Sequence, residues 1–285
     1  METDVCERWR GGRASWRPAR EPFDPSAYEV STLTRDTEAK AYVVANHYAR
    51  SMPPARFRFG LHGRGGGLVG VAVFSVPMHP AVLAPFAVEG RPTVDAVELG
   101  RLVLDDDVLG NAESYFVARC FELLRRAGVG GVVSFSDPQP RARADGGLVF
   151  AGHIGSCYAA LNATYAGLST ARTQLLLPDA TAFSPRALSK IRSGERGWRY
   201  ATEQLVTHGA RAPLDGEDPR AWLDEVLPTV TRAQRHHGNH RYLWGLTPAA
   251  KRMLPPSLAY PKFNTRACLA GVAANTTCAP LRHAV

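Results

Sequence analysis

AVELGRLVLDDDVLGNAESYFVARCFELLRRA, residues Ala96–Ala127, decides the architecture. Its first nine residues, Ala96–Leu104, are rich in Val and Leu and read as a strand. The acidic stretch DDDVLGN breaks that pattern as a turn. From Ala112 the period changes, with Phe116, Val117, Cys120, Phe121 and Leu124 falling on one face of a helix that Gly128 stops. A strand, a tight turn and an amphipathic helix followed by a second strand, GVVSFSDP, make a unit of an α/β fold. The Gly110-Asn111-Ala112 turn also leaves backbone N–H groups unpaired at the positive end of a helix, which is the physical requirement for cradling an anion.

Working outward, the spacing predicts a strand over 28–33 and a helix over 37–49 with Asp36 as its N-cap, ended by Pro53 and Pro54. Strands over 57–61 and 68–76 flank HGRGGG, which reads as a hairpin turn because it lacks a Lys-Ser/Thr ending and precedes a strand. Downstream, 155–165 reads as a helix that puts Tyr158 and Tyr165 on one face, and TQLLLP as a last strand. Beyond Pro178 the chain turns to Arg-rich helices opened by Ser184-Pro185 and Asp218-Pro219 as N-cap and N1 pairs, with another over 195–207. The expected organisation is a flexible basic arm over 1–27, an α/β catalytic core over 28–180, a basic helical extension over 181–263 and a loose tail over 264–285. The arm interleaves Arg8, Arg10, Arg13, Arg17 and Arg20 with Trp9 and Trp16.

Composition bounds the function. The 34 basic against 26 acidic residues give a net charge of +8, mostly from arginine, which suits a polyanionic partner; a GC-rich coding sequence would produce the same bias. No apolar run reaches the roughly 20 residues that span a bilayer, and METDVCERWRGGR lacks the core of a signal peptide. The five cysteines are odd in number and scattered, so neither a disulfide framework nor a zinc knuckle is expected, and a reducing cytoplasm is the expected location. A metal is not expected either: His236, His237 and His240 are interrupted by Gly238-Asn239, with no carboxylate adjacent in sequence.

The motifs that remain are specific: Asn46-His47-Tyr48; Glu98-Leu99 with Arg101; Asn111 with Ser114; Ser136-Asp137-Pro138; Gly152-His153 with Gly155, Tyr158, Asn162, Tyr165 and Gly167; and His240-Arg241-Tyr242. In this order, across 41–262, they resemble the Mom DNA-modification family of bacteriophages. The resemblance implies an acetyltransferase-like GNAT core with a central mixed sheet flanked by helices. It implies transfer of a small acyl-derived or carbamoylmethyl-type group to N6 of adenine in double-stranded DNA, protecting phage DNA from restriction. Two positions depart from the pattern, Ala159 after Tyr158 and Ala163 after Asn162.

Under that resemblance Asp137, at the end of a strand, is the expected proton acceptor, with His47, Tyr48, Arg101 and Tyr158 as the other catalytic residues. A turn cap for Asp137, a structural pair for His47 and Tyr48, and an ion pair with Glu98 or an aspartate for Arg101 are the competing roles. In GNAT proteins the strand and turn hold the pantetheine and pyrophosphate of acetyl-CoA, which assigns Val103, Gly110, Asn111, Ala112 and Ser114 to an acetyl-CoA-type donor; Asp107 stands where that pattern has Arg or Gln. DNA contacts are expected from Arg141, Arg143, His153, Lys190, Arg192 and Arg196, with Arg186 and Arg199 in the same cationic set. The alternatives are an ordinary acetyltransferase acting on a small amine or a protein, and a non-catalytic DNA-binding protein.

Overall fold

A computed structural model of the chain describes residues 5–262 apart from 11–12, 19–20, 89–90, 93 and 144. Its strands are β1 (Val5–Arg10), β2 (Arg13–Pro18), β3 (Glu29–Thr32), β4 (Ala55–His62), β5 (Leu68–Ser75), β6 (Ala87–Val88), β7 (Arg91–Pro92), β8 (Ala96–Leu104), β9 (Gly131–Ser136), β10 (Arg141–Ala142), β11 (Leu148–Phe150), β12 (Thr164–Leu168), β13 (Arg172–Leu176), β14 (Arg232–His236) and β15 (His240–Gly245). The helices are α1 (Asp36–Asn46), α2 (Ala112–Arg126), α3 (Ser156–Ala160), α4 (Pro185–Arg192), α5 (Trp198–Thr207), α6 (Pro219–Val230) and α7 (Pro248–Met253).

Seven strands form one mixed sheet in the order β12-β15-β9-β8-β5-β4-β3. Its pairings are antiparallel except β8 with β9, the two strands that α2 connects. A parallel pair needs such a crossover, and α2 supplies it by burying Phe116, Val117, Cys120 and Leu124 on one sheet face. The other face is covered by α1, through Ala39 and Val43 against Val71, Val73 and Val103, and near β9 and β15 by a patch around Phe86, Val133, Leu243 and Ala250. Helices α4, α5 and α6 pack about their own core of Ile191, Leu205, Trp222 and Leu223. Ser184 and Asp218 cap α4 and α6 by accepting the N–H groups of Ala187 and Ala221, each with proline at the first helical position, as their sequence predicts.

Several expectations are corrected. Arg35, not Asp36, holds the N-cap position of α1, and the helix stops at Asn46, leaving His47 extended. The helix expected over 155–165 is confined to Ser156–Ala160; Asn162 takes a left-handed conformation (φ 54°), and Tyr165 lies on β12. Tyr158 and Tyr165 therefore share no helix face. The TQLLL strand pairs with β14 away from the main sheet. After the helical segment the chain returns to that sheet, where His240–Gly245 sits between β9 and β12. The stretch read as a flexible arm contains the antiparallel pair β1–β2, and Arg8 is buried. The expected tail over 264–285 lies outside the described residues.

Candidate active site

The parallel pairing of β8 with β9 runs from Ala96–Gly131 to Leu99–Ser134 and stops there, although β8 continues to Leu104 and β9 to Ser136. The sheet forks at this point. Ser134 pins the fork by donating from Oγ to the Leu99 carbonyl at 3.0 Å. On the other edge of β8, Leu99 faces Phe74 and Arg101 faces Val73, so Gly100 is the extra residue of a β-bulge. A Cβ there would come within 2.8 Å of Ser75 Oγ and 3.1 Å of Pro53, which is why the position takes glycine.

Two charged side chains flank the bulge. Arg101 grips the loop after α1, donating from Nε to the Ser51 carbonyl (2.7 Å) and from Nη2 to Ser51 Oγ (3.0 Å). Glu98 is half-buried, and among the described residues its carboxylate has no hydrogen-bond or ion-pair partner. Burial raises its pKa, with the Arg101 charge opposing in part. The expected alternative of an ion pair between these two residues is not what forms.

Asp137 follows β9 into a buried polar knot. Its Oδ1 accepts His236 Nε2 and the Gln139 N–H, each at 2.9 Å, and its Oδ2 accepts Arg141 Nη2 at 2.9 Å. His236, fully buried at the end of β14, accepts the Gly238 N–H at Nδ1 (3.1 Å), so its ring proton sits on Nε2 and points at Asp137. Burial, the largest single influence on Asp137, acts to raise its pKa; the His236 hydrogen bond, the Arg141 charge and the Gln139 N–H together reverse it, and the carboxyl titrates below its ordinary range. Both oxygens are committed to partners.

Arg141 in turn lies over the rings of Phe150 (4.6 Å) and Tyr48 (5.4 Å), and Tyr48 is sandwiched between His47 and Phe150 with centroids 4.2 Å away on each side. His153 closes this stack edge-on to both rings, and its N–H donates to the Asp137 carbonyl at 2.7 Å. Gly152 makes that turn possible: it has φ 79°, and a Cβ would meet the Pro138 carbonyl oxygen at 2.4 Å. His47 accepts the Ala49 N–H at Nδ1 (3.0 Å). Burial, then the charges of Arg101, His153 and Arg141, drive its pKa well below the usual value; burial lowers His153 to about 4 despite nearby Asp137. Both imidazoles are neutral at neutral pH.

The structure thus brings His47, Tyr48, Arg101, Asp137 and His153 to one side of the fork. Tyr158 is buried against Tyr242 and Trp244, and burial raises its hydroxyl pKa so that it stays protonated. Tyr165 bonds His240 Nδ1 through its hydroxyl at 2.7 Å. Arg141 and His153, expected at a DNA surface, are instead built into the knot, with Arg141 buried and Arg143 outside it, 3.5 Å from Asp145. Lys190 is half-buried, while Arg192 and Arg196 lie exposed on and beyond α4, far along the chain from the fork. Sequence reasoning missed His236 as the partner of Asp137, Phe150 as the stacking platform and Glu98 as the unpaired carboxylate.

The turn expected to hold a donor is filled by the chain itself. Val103 packs its side chain into the α1 core, and Ala112 is fully buried. Ser114 donates from Oγ to the Asn111 carbonyl at 2.9 Å, and the Gly110 N–H donates to the carboxylate of Glu21 at 2.9 Å. With Asp105, Asp106 and Asp107 alongside, these residues as folded do not fit the pyrophosphate of acetyl-CoA.

The molecule is an α/β protein whose polar cluster is set at the fork of a mixed sheet. A family model described as the Mom protein family matches residues 27–262, and the chain belongs to that family. A search of curated proteins found no match. Among solved structures, the chain is similar to a GNAT-family N-acetyltransferase from Escherichia coli in complex with CoA (19% identity, 41% of this chain and 68% of that one, TM-score 0.28). It is also similar to a tandem GNAT protein from the clavulanic acid biosynthesis pathway (12% identity, 78% and 99%, TM-score 0.41). A third is an N-acetylglutamate synthase from Neisseria gonorrhoeae with coenzyme A and N-acetyl-glutamate (11% identity, 80% of this chain but 36% of that one, TM-score 0.32). No helix among the described residues is long and apolar enough to cross a membrane.

Proposed function

We propose that this chain is a transferase that adds a small acyl-derived group to the exocyclic amine of adenine in duplex DNA, on an acetyltransferase-like core. Family membership supports the acceptor, and the forked parallel pair with its α2 crossover suits that core. The observation that carries the chemistry is the half-buried Glu98 carboxylate beside Arg101, without a hydrogen-bond or ion-pair partner among the described residues, whereas both oxygens of Asp137 are committed. An aromatic amine is a weak nucleophile and must lose a proton as the new bond forms. Glu98 takes that proton, because its lone pairs are free and its raised pKa makes it a better acceptor than Asp137. Asp137 positions Arg141 and, through it, the packed Tyr48–Phe150 pair, which fixes the wall of the site next to Arg101. As the bond to the amine nitrogen forms, the bond from the transferred carbon to the donor breaks and the leaving group takes its electron pair, a negative charge that the Arg101 guanidinium, held by Ser51 and the Gly100 carbonyl, offsets.

The DNA surface is supplied by the helical segment. A groove of about 310 Å³ between α4 and α5 is lined by Arg186, Lys190, Tyr200 and Gln204. Lys190 sits 4.5 Å over the Tyr200 ring, while Arg192 is only loosely placed against Asp224 at 3.9 Å. Such a combination of cations with an exposed ring suits phosphate and base contacts. The test is mass spectrometry of nucleosides from plasmid DNA of cells expressing wild type, Glu98→Gln or Asp137→Asn. A new adenosine-derived species, abolished by Glu98→Gln and reduced by Asp137→Asn, is the expected result. Its persistence in Glu98→Gln would remove Glu98 from the proton transfer, and its absence from wild type would remove the DNA acceptor.

A further inference from the structure

The N-terminal hairpin stands outside the residues that match the family, which begin at 27. Its β1 lies beside β8 and its β2 beside β11, so the hairpin spans the ground between the strand before the Asp105–Asn111 turn and the stack-bearing Phe150. It touches the turn through a graded set of polar contacts. Ser15 Oγ donates to Asp106 Oδ1 (2.9 Å), and Arg17 Nη1 donates to the Asp106 carbonyl (2.6 Å). Arg8 is buried in an ion pair with Glu113 in the first turn of α2 and donates to the Val108 carbonyl. Glu21, held on both oxygens by Arg17 at 2.8 and 2.6 Å, accepts the Gly110 N–H at 2.9 Å.

That last contact is what an external anion would make. The N–H groups at a helix-opening turn attract negative charge, and here a carboxylate from about ninety residues earlier in the chain takes the leading one. We infer that the β1–β2 pair, with Glu21, is an intramolecular occupant of this anion seat. The Glu21 carboxylate holds the Gly110 amide that the pyrophosphate of a nucleotide-type donor would take, so such a donor reaches the turn only when the segment is displaced. The Arg17 hydrogen bond keeps the Glu21 carboxyl below its ordinary range, hence ionised, so an arriving phosphate meets like charge from Glu21 as well as from Asp105, Asp106 and Asp107. The inference concerns donor access and stands whatever the acceptor is.

Full-length wild type, Glu21→Gln and Glu21→Ala, each ¹⁵N-labelled, are titrated with inorganic pyrophosphate and with CoA while the Gly110 amide resonance is followed. Wild type is expected to show little movement of that resonance. Glu21→Ala should bind pyrophosphate roughly tenfold or more tightly, the scale of one charge-assisted hydrogen bond and its repulsion. Glu21→Gln, which keeps an acceptor oxygen but loses the charge, should fall between. The Gly110 amide should also exchange with solvent faster in Glu21→Ala with no ligand present. Equal affinity at Gly110 in wild type and Glu21→Ala would overturn the inference, as would no gain in either variant. If Glu21→Ala does not fold, the near-isosteric Glu21→Gln carries the same comparison. DNA modification is scored separately, so its absence would overturn the acceptor assignment and leave this result readable.

Discussion

Removing the carboxylate of Asp137 should cost more than any other single truncation near the fork. Asp137→Ala leaves the Arg141 guanidinium, whose side chain is 8% exposed, without its counter-charge, and leaves the fully buried His236 with an orphaned Nε2–H. Breaking one side of a buried ion pair costs about 3–5 kcal/mol, much of it from the charge left behind rather than from the attraction lost. For a chain of this size that corresponds to a fall in Tm of about 10 °C. The mechanism makes a second demand: Asp137→Ala with Arg141→Met removes both charges and should recover roughly half of the loss, because an apolar stem over Phe150 and Tyr48 needs no partner. Urea unfolding followed by tryptophan fluorescence measures both variants. The advantage of wild type over Asp137→Asn should also shrink under acid. The folded-state pKa of Asp137 is depressed, so its contribution is complete above the unfolded value of about 3.9 and is lost as pH falls through the folded one. A loss below about 1 kcal/mol in Asp137→Ala, or a double variant as unstable as the sum of the singles, would refute the knot as a charge-balanced unit.

His47 and His153 are held neutral, so the unfolded chain binds protons that the folded one refuses. Stability should decline as pH drops from about 6.5, the ordinary histidine value, towards the value of about 4 for His153, and His153→Gln should flatten part of that slope in urea titrations at pH 7.5, 6 and 5. For Glu98 the sign is opposite: its raised pKa means that stability is lost as pH rises through it, so Glu98→Gln should leave the protein as stable or more stable at pH 7 while abolishing modification, a pairing that a merely structural residue would not give. Gly152→Ala should destabilise by about 2 kcal/mol or more, since its left-handed φ and the 2.4 Å approach to the Pro138 carbonyl both disfavour a Cβ; a thermal melt within a degree of wild type would show that the turn tolerates rearrangement. Replacing Lys190, Arg192 and Arg196 together by glutamine should reduce the slope of log affinity for duplex DNA against log salt by roughly 2 to 3, and an unchanged slope would place the DNA elsewhere.

What was legible in the sequence is what local patterning controls. The strand at 96–104 has the predicted bounds and α2 falls within a residue of them, because an apolar stripe, an acidic turn and a closing glycine act over short separations. Caps at Ser184 and Asp218 were readable for the same reason. The strand HRYLWG was missed because its partners are distant: β9 lies about a hundred residues earlier, and a polar start of His240-Arg241 after Gly238-Asn239 looks like a loop until both edges are paired. Tyr158 and Tyr165 satisfied a helical spacing, yet the left-handed Asn162 between them ends the helix, an option that asparagine tolerates better than most residues. The terminal hairpin did carry a signal, Gly11-Gly12 between two six-residue runs, which the arginine content masked.

The residues of the site were easier to read than their roles, and the reason lies in how few lone pairs a side chain has. A sequence can say that an aspartate ends a strand beside a proline; it cannot say that a histidine 99 residues away will spend one oxygen and an arginine four residues away the other. Two carboxylates, Glu98 on β8 and Asp137 after β9, were therefore indistinguishable as types, and are separated only by their neighbours. Asp137, with three donors, is ionised and committed, suited to holding Arg141 under the rings of Tyr48 and Phe150. Glu98, buried with a single charge nearby, is pushed the other way and keeps its oxygens free. Under the proposed transfer, a pair of acidic groups driven apart in this manner would divide framework from proton transfer, with the reacting amine at the bulge of β8 rather than at the end of β9.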